Sequence, residues 1–181
     1  MILLINTCSD KLSEPEFVRP IENILKDSNI SFRTEHYRNI SNDSLQQAEK
    51  ALICGTALKD CDYLKHIDDF DWIMQFEKPV LGICAGFQIL AKIFENPLTE
   101  RTRIGRYEVE AVQENKLATM KRFHSYFLSL KNAMIKKHFM ILANSRSTPC
   151  MIKHETKEIY GCLFNPEVLN PEIIKNFADS S

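Results

Sequence analysis

The stretch Pro79-Val80-Leu81-Gly82-Ile83-Cys84-Ala85-Gly86-Phe87-Gln88-Ile89-Leu90-Ala91 constrains this chain more than any other. It reads as a short apolar strand, a Gly-x-Cys-x-Gly turn and an apolar-periodic helix, the pattern of a nucleophile elbow with cysteine in the nucleophile's place. Such a turn strains the backbone, so small residues must flank its centre, and Gly82, Ala85 and Gly86 supply them. The helix N-terminus carries partial positive charge, which favours a thiolate and predicts a lowered pKa for Cys84. The plainer alternative is a buried structural cysteine in a strand–helix connection.

Elements on either side of this stretch extend the same alternation. Met1–Ile5 fits a buried parallel strand, and Phe17, Val18, Ile21, Ile24 and Leu25 recur at helical spacing. Pro20 must then lie in the first turn of that helix. Residues 31–36 alternate as a second strand, 44–49 suit a short helix, and 51–54 form a third strand ending at Gly55. Leu64, Ile67, Phe70, Ile73 and Met74 predict a helix that stops before Pro79, with Phe70 in the core and Trp72 at its margin. Strands alternating with helices predict a doubly wound parallel sheet. The second half is richer in strands, at 107–112, 120–126, 139–143, 150–154 and 159–164, before a last helix over 172–178. No linker or low-complexity segment interrupts the 181 residues, which read as one domain, 1–181.

Composition excludes several function classes. Twenty-three basic and 24 acidic residues leave a net charge of −1, which argues against a nucleic-acid or membrane surface. No apolar run is long enough to span a bilayer, and the opening apolar run is too short for a signal peptide. The six cysteines form no Cys-x-x-Cys pair and no zinc spacing, so free thiols in a reducing cytoplasm are expected, with no metal and no cofactor. His36, His66, His138 and His154 lie in polar settings and read as surface residues.

Three segments can serve a thiol at the elbow. An elbow enzyme needs a second backbone N–H beside that of the residue after the nucleophile, and Gly55 at a strand end can donate it, together with Ala85. An ordinary turn glycine is the competing account. Phe123-His124-Ser125-Tyr126 sets three polar side chains at a strand end, and Tyr160-Gly161-Cys162-Leu163-Phe164-Asn165-Pro166-Glu167 ends another in Asn-Pro-Glu. Glu167 can be the carboxylate that orients a base, but no base is evident.

Taken together these motifs resemble the class I glutamine amidotransferase domain over nearly the whole chain. Its elbow is Gly-x-Cys-x-Gly-x-Gln, here Gly82 to Gln88; its glycine-bearing oxyanion loop falls at Gly55; its His-Ser-Leu or His-Ser-Tyr segment falls at 124–126; its closing Tyr-Gly-Val-Gln-Phe-His-Pro-Glu falls at 160–167. Size and the tail from Ile152 to Phe177 are most similar to the free-standing amidotransferase subunit of two-subunit GMP synthases. The resemblance implies a flavodoxin-like three-layer α/β sandwich around a central, mostly parallel sheet. It implies hydrolysis of the L-glutamine amide through a Cys84 thioester, with Gly55 and Ala85 holding the oxyanion and Gln88, Ser125 and Tyr126 holding the head group. Ammonia would pass to a separate synthase subunit.

One departure is chemical. Where the family has its catalytic histidine this chain has Asn165, and an amide cannot take and return a proton near neutral pH. The oxyanion loop is also reduced from a double glycine to Gly55-Thr56. Four readings stay open: an impaired glutaminase or a non-catalytic glutamine-binding, regulatory or scaffolding subunit; His124 as a substitute base; other thiol chemistry at Cys84; or an introduced substitution at 165.

Overall fold

The computed structural model describes residues 1–180, which form a single nine-stranded sheet with helices packed against it. In chain order the strands are β1 (Ile2–Asn6), β2 (Phe32–His36), β3 (Lys50–Ile53), β4 (Val80–Ile83), β5 (Leu98–Ala111), β6 (Arg122–Ala133), β7 (Phe139–Ser145), β8 (Thr148–His154) and β9 (Ile159–Cys162). The helices are α1 (Glu14–Phe17), α2 (Arg19–Asp27), α3 (Asn42–Gln47), α4 (Asp62–Lys65), α5 (Ala85–Ile93), α6 (Pro166–Leu169) and α7 (Pro171–Asp179). Spatial order is β2-β1-β3-β4-β9-β8-β7-β5-β6.

Sequence chemistry explains the order. The apolar Ile-Leu-Leu-Ile run of β1 is buried on both faces, as an interior parallel strand requires, whereas the polar Phe-Arg-Thr-Glu-His of β2 takes the edge. Pro20 falls in the first turn of α2, where a missing N–H costs nothing, and Ile21 and Leu25 bury one face.

The structure departs from three expectations. The sheet is parallel only from β2 to β9; β8, β7, β5 and β6 continue it antiparallel. The cause is local turn chemistry. β7 and β8 join through Arg146 and Ser147, both at positive φ (48° and 59°), the two-residue turn whose twist suits a hairpin. The helix expected over 64–74 is instead the short α4 followed by a 3₁₀ stretch, Ile67–Met74. Its buried residues, Phe70 and Ile73, stand three apart, the spacing that eclipses on a 3₁₀ turn. His154, expected at the surface, is buried against Phe94 and Phe139.

The C-terminal ends of β3, β4 and β9 lie side by side, since Ile53 pairs with Gly82 and Gly82 with Gly161. The candidate site forms there. Crevices beyond the carboxyl ends of parallel strands are where open α/β sheets hold ligands.

Candidate active site

Cys84 leaves β4 at φ 51° and ψ −97°, and α5 begins at the next residue. A side chain in this left-handed region is strained, so the turn persists only because its surroundings fix it. The glycines do the fixing. A Cβ on Gly82 would stand 2.6 Å from the Gly86 carbonyl group, and one on Gly86 would stand 2.6 Å from the Ile53 carbonyl oxygen. Strand and helix therefore approach to a distance that no other residue at either position permits. The Cys84 N–H donates to the Cys162 carbonyl at 2.7 Å, tying the elbow to β9.

Gly55 and Asn165 meet at this turn. A Cβ on Gly55 would lie 3.2 Å from Cys84 Cβ and 3.3 Å from Asn165 Nδ2. Asn165 follows β9, and its N–H donates to the Tyr126 carbonyl at 2.8 Å. Its Nδ2 donates to Glu167 Oε1 at 2.9 Å, while its Oδ1 and Glu167 Oε2 are buried without partners. Burial pushes the Glu167 carboxyl up to about 7, against the lowering effect of the Asn165 bond.

The thiol behaves differently from the sequence expectation. Burial raises the Cys84 pKa to about 12; the Glu167 charge adds to the rise, and the Ala85 N–H at the helix start opposes it. The predicted helix effect is present, but desolvation outweighs it. As S–H, the sulfur donates to the Leu128 carbonyl at 3.3 Å.

Gln88 projects one helical turn beyond Cys84. Its Oε1 accepts from the Tyr63 hydroxyl at 2.7 Å, and its Nε2 donates to Ser129 Oγ at 2.9 Å and to the Lys131 carbonyl at 3.3 Å. Cys84, Gln88, Tyr63, Asp60, Ser129 and Lys131 enclose a cleft of about 20 Å³, room for about one water. Burial pushes the Asp60 carboxyl up, but hydrogen bonds from the Ser9 N–H, the Thr56 hydroxyl and the Asp62 N–H outweigh it and leave its pKa lowered.

The structure thus brings Cys84, Ala85, Gly55, Gln88, Asn165 and Glu167 together, but not the 124–126 segment as expected. Ser125 is fully buried with its Oγ unpartnered, Tyr126 meets Asn165 through its backbone, and neither lines the cleft. His124 is exposed and lines a separate groove with Arg106 and Arg146. The cleft wall comes from Leu128 to Lys131, further along the same strand. A signal for it existed, because Phe-x-Ser occurs twice, at Phe123-x-Ser125 and at Phe127-x-Ser129. Tyr63, in a short helix with no motif of its own, gave none. Among the described residues no group of His, Cys, Asp and Glu is placed to hold a metal ion, and no helix is long and apolar enough to cross a membrane.

The family model described as glutamine amidotransferase class-I matches residues 17–179. A subunit of the glutamine-hydrolysing GMP synthase from Methanosphaera stadtmanae is 31% identical over 164 residues, covering 80% of this chain and 87% of its own length. The corresponding protein from Pyrococcus abyssi is 31% identical over 126 residues, 63% of this chain; the match spans 64% of that relative, just under two thirds of its length. Among solved structures, a GMP synthase subunit from Thermoplasma acidophilum superposes with a TM-score of 0.87 at 18% identity, covering 98% of this chain and 91% of that one. A glutamine amidotransferase from Thermotoga maritima gives 0.72 at 17% identity, covering 98% and 89%. At these identities the two structures speak for the fold.

Proposed function

The chain belongs to the class I glutamine amidotransferases, and from that premise we propose that it binds L-glutamine at Cys84 and turns it over slowly, supplying ammonia to a separate synthase subunit. Cys84 Sγ attacks the side-chain carboxamide carbon. A C–S bond forms while the Gly55 and Ala85 N–H groups hold the oxyanion. The C–N bond then breaks, the nitrogen leaves as ammonia with the thiol proton, and water hydrolyses the glutamyl thioester to glutamate. Each proton transfer needs a group that takes and returns a proton, and Asn165 cannot do so. Losing one member of such a unit costs about as much as losing the whole of it. Glu167, left without a base to orient, instead accepts from the Asn165 amide.

One observation carries the reading: Cys84 retains the strained elbow geometry at φ 51° with Gly55 packed against it. Strain of this kind, on the order of 1–3 kcal/mol, persists where a nucleophile must be presented and has no purpose for a structural cysteine. The test is exposure to a glutamine-mimicking diazoketone followed by intact mass, with Cys84→Ser and Asn165→His variants alongside. Labelling of the parent, absent in Cys84→Ser, supports recognition with a competent sulfur. Labelling in Asn165→His alone assigns the loss to one residue. If none is labelled, the glutamine-amide reading fails.

A second reading has its own support. The Asn165–Glu167 bond and the raised thiol pKa suit a protein that binds glutamine without cleaving it. In that case glutamine binding is measurable by calorimetry while no ammonia accumulates.

A further inference from the structure

The cleft beside Cys84 holds about one water, so no carboxamide ligand reaches the sulfur unless a wall moves. Two of its walls are fixed. The elbow is locked by the close approach of Gly82, Gly86 and Ile53. Asp60, on the loop after β3, is held by three donors.

The wall formed by Leu128–Lys131 of β6 is different. Its pairing with β5 is interrupted there: Arg103 pairs with Ser129 and Glu100 with Lys131, leaving Arg101 and Thr102 opposite the single residue Leu130. Bulges of this kind bend a strand and end regular pairing beside active sites. The Ser129 hydroxyl turns back to the Lys131 backbone, donating to its carbonyl at 2.6 Å and accepting from its N–H at 3.2 Å. On either side the strand is anchored, by buried Phe127 against Phe164 and by buried Asn132. Three contacts hold the strip down on the site: the Cys84 thiol to the Leu128 carbonyl, and the Gln88 amide to Ser129 and to the Lys131 carbonyl. Tyr63 fixes the direction of that amide, because its hydroxyl occupies Gln88 Oε1 and leaves Nε2 to face the strip.

We propose that Leu128–Lys131 is a latch closed over Cys84, with Tyr63–Gln88–Ser129 as its catch, and that a carboxamide ligand enters by exchanging its own hydrogen bonds for those of the catch. The identity of the ligand rests on the glutamine reading above; the latch itself does not. Tyr63 acts through Gln88 and is a positioning residue.

Alkylation by iodoacetamide, a small carboxamide-bearing thiol reagent, tests it, with each cysteine followed by peptide mass mapping in the parent, Tyr63→Phe and Ser129→Ala. In both variants Cys84 is expected to react about fivefold faster, the change in open population when one neutral hydrogen bond leaves the closed state. Cys61, on the cleft rim, should keep its rate, and the fully buried Cys54 and Cys162 should stay unlabelled. An unchanged Cys84 rate in both variants overturns the latch. So does a Cys84 rate that rises only together with Cys54 and Cys162, because the strip then moves only with the whole fold. Millimolar L-glutamine added to the parent separates the two readings. Faster Cys84 labelling in the variants with no protection by glutamine keeps the latch and removes glutamine as the ligand.

Discussion

Two strand ends build this site, and they are finished to different standards. At the end of β4 the turn is closely specified: Cys84 at positive φ, two glycines with no room for a Cβ, and α5 starting at the next residue. At the end of β9 the backbone is equally well placed, but Asn165 and Glu167 each bury an oxygen without a partner. Orphaned buried acceptors cost on the order of 1–3 kcal/mol each. The costly feature of the first end is backbone strain at Cys84. That of the second is buried polarity without partners. On the proposed function, binding geometry and proton transfer are separable here, residue by residue.

The largest expected effect comes from making the second end match the first. Asn165→His places an imidazole between Cys84 and Glu167, within reach of the carboxylate that now takes the amide bond. Glutamine hydrolysis, followed as ammonia release, should rise by about 10²–10⁴-fold, the usual contribution of a positioned acid–base group. No gain, in a variant that still labels with the diazoketone, would mean that the two ends differ by more than one side chain.

A pH experiment examines the second end alone. Glu167 has its carboxyl raised from the ordinary 4.5 to about 7, chiefly by burial. Because the folded state binds this proton more tightly than the unfolded chain, stability is fully present below about pH 4.5. It declines as pH rises and is lost above about pH 7, on the order of 3 kcal/mol in all. Urea unfolding at pH 5 and pH 8 should show the parent losing stability over this interval relative to Glu167→Gln, which carries no titrating group there. Parallel pH dependence in the two proteins would rule out a buried, neutral-range carboxyl.

The sequence made the two strand ends easier to read than what closes over them. Apolar runs at β1, β3 and β4, the small residues of the elbow and the closing 160–167 segment are contiguous signals, so the parallel half and its strand ends could be placed. What closes over the sulfur could not. The Leu128 carbonyl lies 44 residues away in sequence, on a half-exposed strand whose mixed polarity hid its continuation past Tyr126. Burial, not any one contact, reverses the thiol prediction: a helix N-terminus is local and legible, whereas desolvation is the sum of everything packed around the site. The absence of a base at 165 was evident from the letters alone, while the consequence for Glu167, a buried carboxyl held near 7, needed the fold.

The smallest effect returns to the first end. If the elbow's strain exists to present the thiol, removing the side chain should release it. Cys84→Gly relaxes the left-handed position, a gain of about 1–3 kcal/mol. Greater flexibility of the unfolded chain offsets about 0.4–1 kcal/mol of that gain, and the lost burial of a small apolar group offsets a similar amount. A net stabilisation of about 1 kcal/mol is expected, a rise in Tm of about 2–4 °C for a domain of this size, with labelling abolished. Calorimetry decides it. A lower Tm in the variant would mean that the cysteine side chain contributes more by packing than its backbone costs, and the elbow would lose its claim to be strain retained for function.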